Sequence, residues 1–406
     1  MKLVKICSKQ FQKLCSRGYG RNRRVINSVM KIIEDVRLYG DDAVIKYTRK
    51  FDKVKLAPKG MKVSECEISG AYQDIKSEFV TTLKIIIENV QKFYKKQIKK
   101  SWKKKDSDGV VLGEKVTPLE KIGVYVPAGQ VPLISTVYMT VIPAKMAGVK
   151  KVILVTPPDR SGFVDPHILV VADLLKVDEI YKVGGAQAIA ALAFGTKMIP
   201  RVDKIIGPGN AYVTEAKRQV FGYCGIDMLA GPTEVVIVAN QFANLDYLKA
   251  DLEAQAEHAM GISIMVTTSK KLARIMKKDN LKGYIILAKN VDEAGEIVNA
   301  LAPEHLQILV NNPRNILKKI TNAGAIFLGP YTPVSVGDYV AGPSHVLPTG
   351  GTARFFSGLG LSDFLKSSHI ISYSKKALEK VREPMEKIAA IEGLQKHLDS
   401  VKVRFT

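Results

Sequence analysis

The chain has 406 residues, 46% of them apolar and 25% charged, the composition of a folded globular protein of roughly two or three domains. That excludes a disordered chain. No stretch reaches the ~18 consecutive apolar residues of a membrane span, and residues 1–24 lack the apolar core of a secretory signal.

The four cysteines, Cys7, Cys15, Cys66 and Cys224, have no paired spacing, so reduced thiols and a cytoplasmic location are expected. The net charge of +22 raises nucleic acid as a partner. Much of that charge is local, because eight of the fifteen residues 91–105 (QKFYKKQIKKSWKKK) are Lys. The run contains no Arg, the preferred base reader, and its aromatics, Phe93 and Trp102 among them, are too few for a stacking platform. A solvated helix end is expected, without a nucleic-acid partner.

In chain order, Val25, Val29, Ile32, Ile33 and Val36 recur at helical spacing until Gly40 breaks it. A second long helix is expected over 75–102, then a flexible stretch at 105–109. Beyond it, short β-branched runs predict strands at 122–126, 151–155, 204–206, 234–238, 263–267, 284–287, 307–310 and 325–328. Helices are expected between many of them, at 166–175, 186–194, 211–220, 245–260 and 291–301, with a helical tail from Lys375. This alternation predicts an α/β fold of parallel sheets covered by helices, two sheets being as acceptable as one.

Histidine is scarce, six in the chain, so its placement carries information. His167 and His369 stand in plain helix-like or strand-like settings and are read as structural. In QAEH at 255–258, the stripe Leu245, Leu248, Leu252 continues onto Gln255, with His258 one turn beyond. Either the amide and imidazole form a hydrogen-bonded interior pair, or they belong to a ligand or metal site; from zinc chemistry His258 is the better donor, since amides are uncommon at zinc. In APEH at 302–305, Pro303 ends a helix and leaves Glu304 beside His305, either a surface loop or a pair for proton transfer near neutral pH. Residues 335–348 read as an irregular, rigid loop holding Asp338, a good hard ligand, and His345. EGLQKH at 392–397 reads on its own as a helix break at Gly393 with surface charges. GGAQ at 184–187 and GPGN at 207–210 each join a strand to a helix, as a plain turn or an anion cradle; neither is the G-x-G-x-x-G fingerprint.

Taken in order, IGVYVP at 122–127, GGAQ, GPGN, AGPTE at 230–234, QAEH, APEH, GDY at 337–339, SHVLP at 344–348 and EGLxxH at 392–397 resemble the histidinol dehydrogenase family. The resemblance covers essentially the whole chain and is densest from about residue 115 to 397. It implies one zinc per subunit held by Gln255, His258, Asp338 and His397, with Glu304 and His305 as the catalytic pair. Tyr125, Gln187 and Asn210 match NAD contacts. Thr233, His345 and Glu392 match substrate contacts, joined there by Gln255, His258, His305, Asp338 and His397. The implied activity is NAD-dependent oxidation of L-histidinol through L-histidinal to L-histidine, ending histidine biosynthesis; the alternative is a paralogue acting on another amino or sulfonated alcohol.

The resemblance also implies a homodimer whose tails complete each other's sites. It implies two incomplete Rossmann-like domains, similar to the aldehyde dehydrogenase architecture, with terminal helical elements. The expected divisions are an arm at 1–20, a first domain of 21–124 and 234–358, a cofactor-contacting domain of 125–233, and a dimerisation tail at 359–406. No motif contains Cys, so no thiohemiacetal is expected.

Overall fold

Short β-branched strands such as EVVIVA, buried at every position, are what a parallel sheet covered on both faces demands. The computed structural model, which describes every residue except 19, 21, 129, 130, 259 and 406, contains two such sheets. One has six strands in the order Lys2–Val4, Tyr284–Leu287, Ile262–Thr267, Glu234–Ala239, His305–Leu309 and Ala325–Leu328, all parallel. The other has five parallel strands: Glu179–Lys182, Lys151–Thr156, Lys121–Tyr125, Lys204–Ile206 and Gly225–Ile226. Apolar clusters fill both faces of each sheet. The expected α/β class, with two parallel sheets, is therefore what the chain adopts.

Both sheets lie in one compact unit, Met1–Gln97 with Leu119–Phe364. The strand Lys121–Tyr125, which ends at the expected boundary at residue 125, belongs to the five-stranded sheet. A second unit comprises Ile98–Pro118 and Leu365–Thr406. In it Leu365–Ser372, Val111–Pro118 and Trp102–Lys105 form an antiparallel sheet, followed by the helices Lys375–Ile391 and Gln395–Lys402.

Helix starts follow local chemistry. Ser64 and Glu67 form a capping box, and Asn22, Asn244 and Asn290 accept backbone N–H bonds at three further starts. Several expected boundaries need correction. The helix expected over 75–102 runs only over Ser77–Tyr94, and Trp102–Lys105 is instead an exposed strand; once the apolar stripe gives way to lysines, antiparallel pairing with 111–118 supplies the backbone bonds. The stretch at 105–109 is an ordered turn in which Asp106 Oδ1 accepts from the N–H groups of Asp108 and Val110, both at 2.9 Å. The helix expected over 245–260 stops at Ala256, where Gly261 turns back against Gln255.

Candidate active site

Glu304 and His305 enter the fold at the start of a strand. The preceding helix, Val291–Leu301, ends in Ala302, a buried non-glycine residue at φ +45°, an uncommon backbone state that clusters at functional sites. Pro303 follows, and His305 then pairs in register with Val235 and Ala325. Gly324 allows this close entry: a Cβ there would stand 2.6 Å from the Glu304 carbonyl oxygen.

Both side chains are buried. Glu304 Oε2 accepts from the Thr233 hydroxyl at 2.7 Å and from the Glu234 N–H at 2.9 Å. His305 Nδ1 lies 3.1 Å from the Glu234 carbonyl, so Nδ1 carries the proton it donates and Nε2 is the nitrogen that gains or loses the second proton. Nε2 is buried and has no hydrogen-bond partner among the described residues, although Asp338 Oδ1 lies 3.5 Å away. Burial lifts the Glu304 pKa to about 7 against the pull of His305 and of its two donors. Burial works to lower the His305 pKa, but the charges of Glu304 and Asp338 outweigh it and raise it to about 9.

Sequence reasoning missed the residues that hold this pair. Glu234 touches both members through its backbone, and its buried carboxylate is paired with Arg17 through two bonds of 2.5 and 2.6 Å. No motif contains Arg17, and only the fold brings it across 217 positions. Phe327 faces His305, ring centroids 6.0 Å apart. Gly337 lets Asp338 approach, since a Cβ there would lie 2.5 Å from the Phe327 ring.

Asp338 sits on the short helix Val334–Tyr339 rather than on the expected irregular loop. His345 anchors it: its Nδ1 donates to the Asp338 carbonyl at 3.0 Å, which leaves Nε2 to accept from the Thr136 hydroxyl at 3.3 Å. Burial lowers the His345 pKa, in keeping with this neutral tautomer. Tyr138 donates to the Tyr339 carbonyl on the other side of Asp338. Asp338, His345 and Phe327 line a cavity of about 530 Å³.

A larger cavity, about 940 Å³, gathers Tyr125, Gln187, Asn210 and His258, which is within the size range of small-molecule and cofactor sites. Gly185 and Asn210, one from each glycine turn, line it. At Gly207, φ is +115° and a Cβ would stand 2.2 Å from the Tyr125 carbonyl oxygen. The Tyr125 hydroxyl accepts from the Gly185 N–H at 3.1 Å, and Asn210 caps the helix Ala211–Val220. Lys217, buried, ties the Gly207 carbonyl to Asp227. Gln187 is fully buried, yet neither of its amide atoms has a partner among the described residues.

Of the remaining expected ligands, Gln255 is buried with its Nε2 unpartnered. His258, read as either an interior partner of Gln255 or a ligand, is exposed and faces the large cavity; the helix ends two residues earlier, so the apolar stripe never reaches it. Among the described residues no three His, Cys, Asp or Glu side chains gather where they could hold a metal ion. Glu392 and His397 are exposed on the second unit, and the chain does break at Gly393, at φ +70°.

Fold and site together define an α/β dehydrogenase, with a cavity beside the two glycine turns of one sheet and a buried acid beside an imidazole on the other. The profile of the histidinol dehydrogenase family matches residues 15–280 and 274–405. The chain belongs to that family. It is 47% identical over 416 residues to the histidinol dehydrogenase of Clostridium acetobutylicum, covering 98% of this chain and 96% of the other. Identity to that of Caldanaerobacter subterraneus is 46% over 414 residues, covering 97% and 96%. The crystal structure of histidinol dehydrogenase from Elizabethkingia anophelis superposes with a TM-score of 0.92 at 36% identity, covering 100% of this chain and 98% of that one.

Proposed function

We propose that this enzyme oxidises L-histidinol through L-histidinal to L-histidine, the closing steps of histidine biosynthesis, using two molecules of NAD. The observation that carries the reading is the state of His305. Its Nδ1 is committed to a backbone carbonyl, with Glu304 Oε2 3.5 Å from that same nitrogen, while its Nε2 is buried, without a hydrogen-bond partner among the described residues, and 3.5 Å from Asp338 Oδ1. In its neutral form, which gains population as pH rises toward about 9, an imidazole held this way takes the proton from the alcohol oxygen at Nε2, releases it to solvent, and takes a second from the hydrated aldehyde. Glu304, held through Oε2 by Thr233 and Glu234, orients and deprotonates the water that adds to the aldehyde. Thr233 and His345 bound the substrate beside this pair.

NAD, when bound, supplies the hydride acceptor. Tyr125, Gln187 and Asn210 would hold it, and the unpartnered amide of Gln187 supports a polar ligand in that cavity. Zinc, when bound, supplies a template for the imidazole and amino nitrogens of the substrate. Gln255, His258, Asp338 and His397 of the partner subunit would hold it, one ion per subunit. The donor set of two imidazoles, a carboxylate and an amide bound through its oxygen suits a borderline ion.

A homodimer follows from the same reading. Met385, Ile388, Ile391 and Leu394 are exposed around Glu392 and His397, an apolar patch of the kind that marks an interface. Glu392 would meet the substrate's amino group. The free cysteines support a cytoplasmic location, and no helix among the described residues is long and apolar enough to cross a membrane.

The test is NAD reduction across a panel of amino and sulfonated primary alcohols. Histidinol is expected to be preferred, with a chelator abolishing turnover. A mixture of inactive His397→Ala and His305→Asn proteins should regain activity if sites are shared. Preference for another alcohol, or no rescue in verified heterodimers, would overturn the substrate or the sharing respectively.

A further inference from the structure

The large cavity contains one more polar group, on neither sheet. Asp52 follows the helix Asp41–Phe51 and lines the cavity with Tyr125 and Gln187. Its Oδ2 is shut off from solvent and accepts no hydrogen bond from any described residue. Burial, with no donor opposing it, pushes its pKa up to about 6. Buried polar atoms in folded proteins are almost always bonded, and a desolvated carboxylate without a donor is costly. The group calls for a donor that the chain does not provide.

The charge of the cavity wall narrows what that donor is. The chain carries 61 Lys and Arg against 39 Asp and Glu, yet no described residue lining this cavity is Lys or Arg. Among the described residues that line it, Asp52 and Glu257 are the only carboxylates, beside His258. A phosphate near Asp52 would face a negative charge with no cation to offset it. Two hydroxyls on adjacent carbons fit instead, because two O–H donors match the two oxygens of a carboxylate. Dinucleotide folds with the glycine fingerprint place an acid on the ribose 2′-hydroxyl in this way, and use Arg where a 2′-phosphate must be accepted. Here the fingerprint is absent, and the acid comes from the N-terminal helical segment.

We propose that Asp52 accepts hydrogen bonds from the adenosine ribose hydroxyls and makes this cavity select NAD over NADP. The inference rests on the reading that the cavity holds a nicotinamide dinucleotide. Asp52 is then a specificity-determining residue, remote from the proton chemistry at His305.

The test is calorimetric titration of the whole protein with NAD and with NADP, without alcohol, for the unmodified chain, Asp52→Asn and Gln187→Ala. The unmodified protein should prefer NAD. Asp52→Asn should weaken NAD by about tenfold or more, the size of a charge-assisted bond, leave NADP equal or tighter, and so collapse the preference. If Asp52→Asn does not fold, Asp52→Ser is read in its place. An unchanged NAD-to-NADP ratio in the Asp52 variant, with NAD weakened in Gln187→Ala, overturns the role of Asp52 but keeps the cavity reading. NAD affinity untouched in both variants overturns the cavity reading and the Asp52 proposal with it.

Discussion

The two parallel sheets of the larger unit present opposite ends to function. In the five-stranded sheet, Tyr125 ends its strand and the turns at Gly184 and Gly207 follow theirs, so the cavity opens at the carboxyl ends, the ordinary ligand position of an open α/β sheet. In the six-stranded sheet, Glu234 and His305 begin their strands, so the acid and imidazole gather at the amino ends. A sheet used at its carboxyl edge offers turns and backbone N–H groups, which suit a cofactor. A sheet used at its amino edge offers the first side chains of neighbouring strands, locked in register, which suits proton transfer.

Four substitutions test this division, in falling order of expected effect. Arg17→Ala leaves the Glu234 carboxylate buried without its cation, and should cost about 3–5 kcal/mol of stability, read as a lower denaturant midpoint; an unchanged midpoint would show that the ion pair does not support the catalytic edge. His305→Asn should lower kcat by roughly 10²-fold or more while calorimetric NAD affinity stays the same. Loss of NAD binding there would break the separation between the edges. Gly207→Ala, strained by its backbone and by Tyr125, should do the reverse, weakening NAD by roughly tenfold, about 1.4 kcal/mol, with kcat at saturating NAD little changed.

Asp52→Asn in the ligand-free protein gives the smallest effect. The Asp52 pKa is raised by folding to about 6, so the native state holds its proton more tightly than the unfolded chain does. Stability is therefore lost as pH climbs from about 4 to about 6 and stays lost above. Asn carries no such penalty. The variant should be more stable at pH 8 by roughly 1 kcal/mol, after discounting for partial exposure, and no more stable at pH 4. Equal melting temperatures at pH 8 would argue that Asp52 has a donor after all.

The sequence makes the local elements of both sheets more legible than the distant contacts that hold the catalytic pair. Strands 204–206, 284–287 and 325–328 and helices 211–220 and 291–301 are readable to the residue, because β-branched runs and apolar stripes are local signals bounded by Gly, Pro and Asn. The Gly184 and Gly207 turns are visible for the same reason. Arg17, Phe327 and Thr136 are not, since each acts through a partner far away in the chain and none has an unusual neighbourhood; Glu234 stands in the AGPTE motif, but its pairing with Arg17 does not show there. Asp52 is hidden because its significance is a missing partner, which no sequence pattern records. The antiparallel strands 111–118 and 365–372 escape notice because they are half exposed and too polar to register as apolar runs.

The most direct test is the count of NADH formed when a limiting amount of histidinol is consumed with NAD in excess. The enzyme should give two NADH per histidinol and histidine as product, with His305→Asn giving almost none over the same time. One NADH with histidinal released, or two NADH from His305→Asn at the unmodified rate, would contradict the assignment of both oxidations to one acid–imidazole pair.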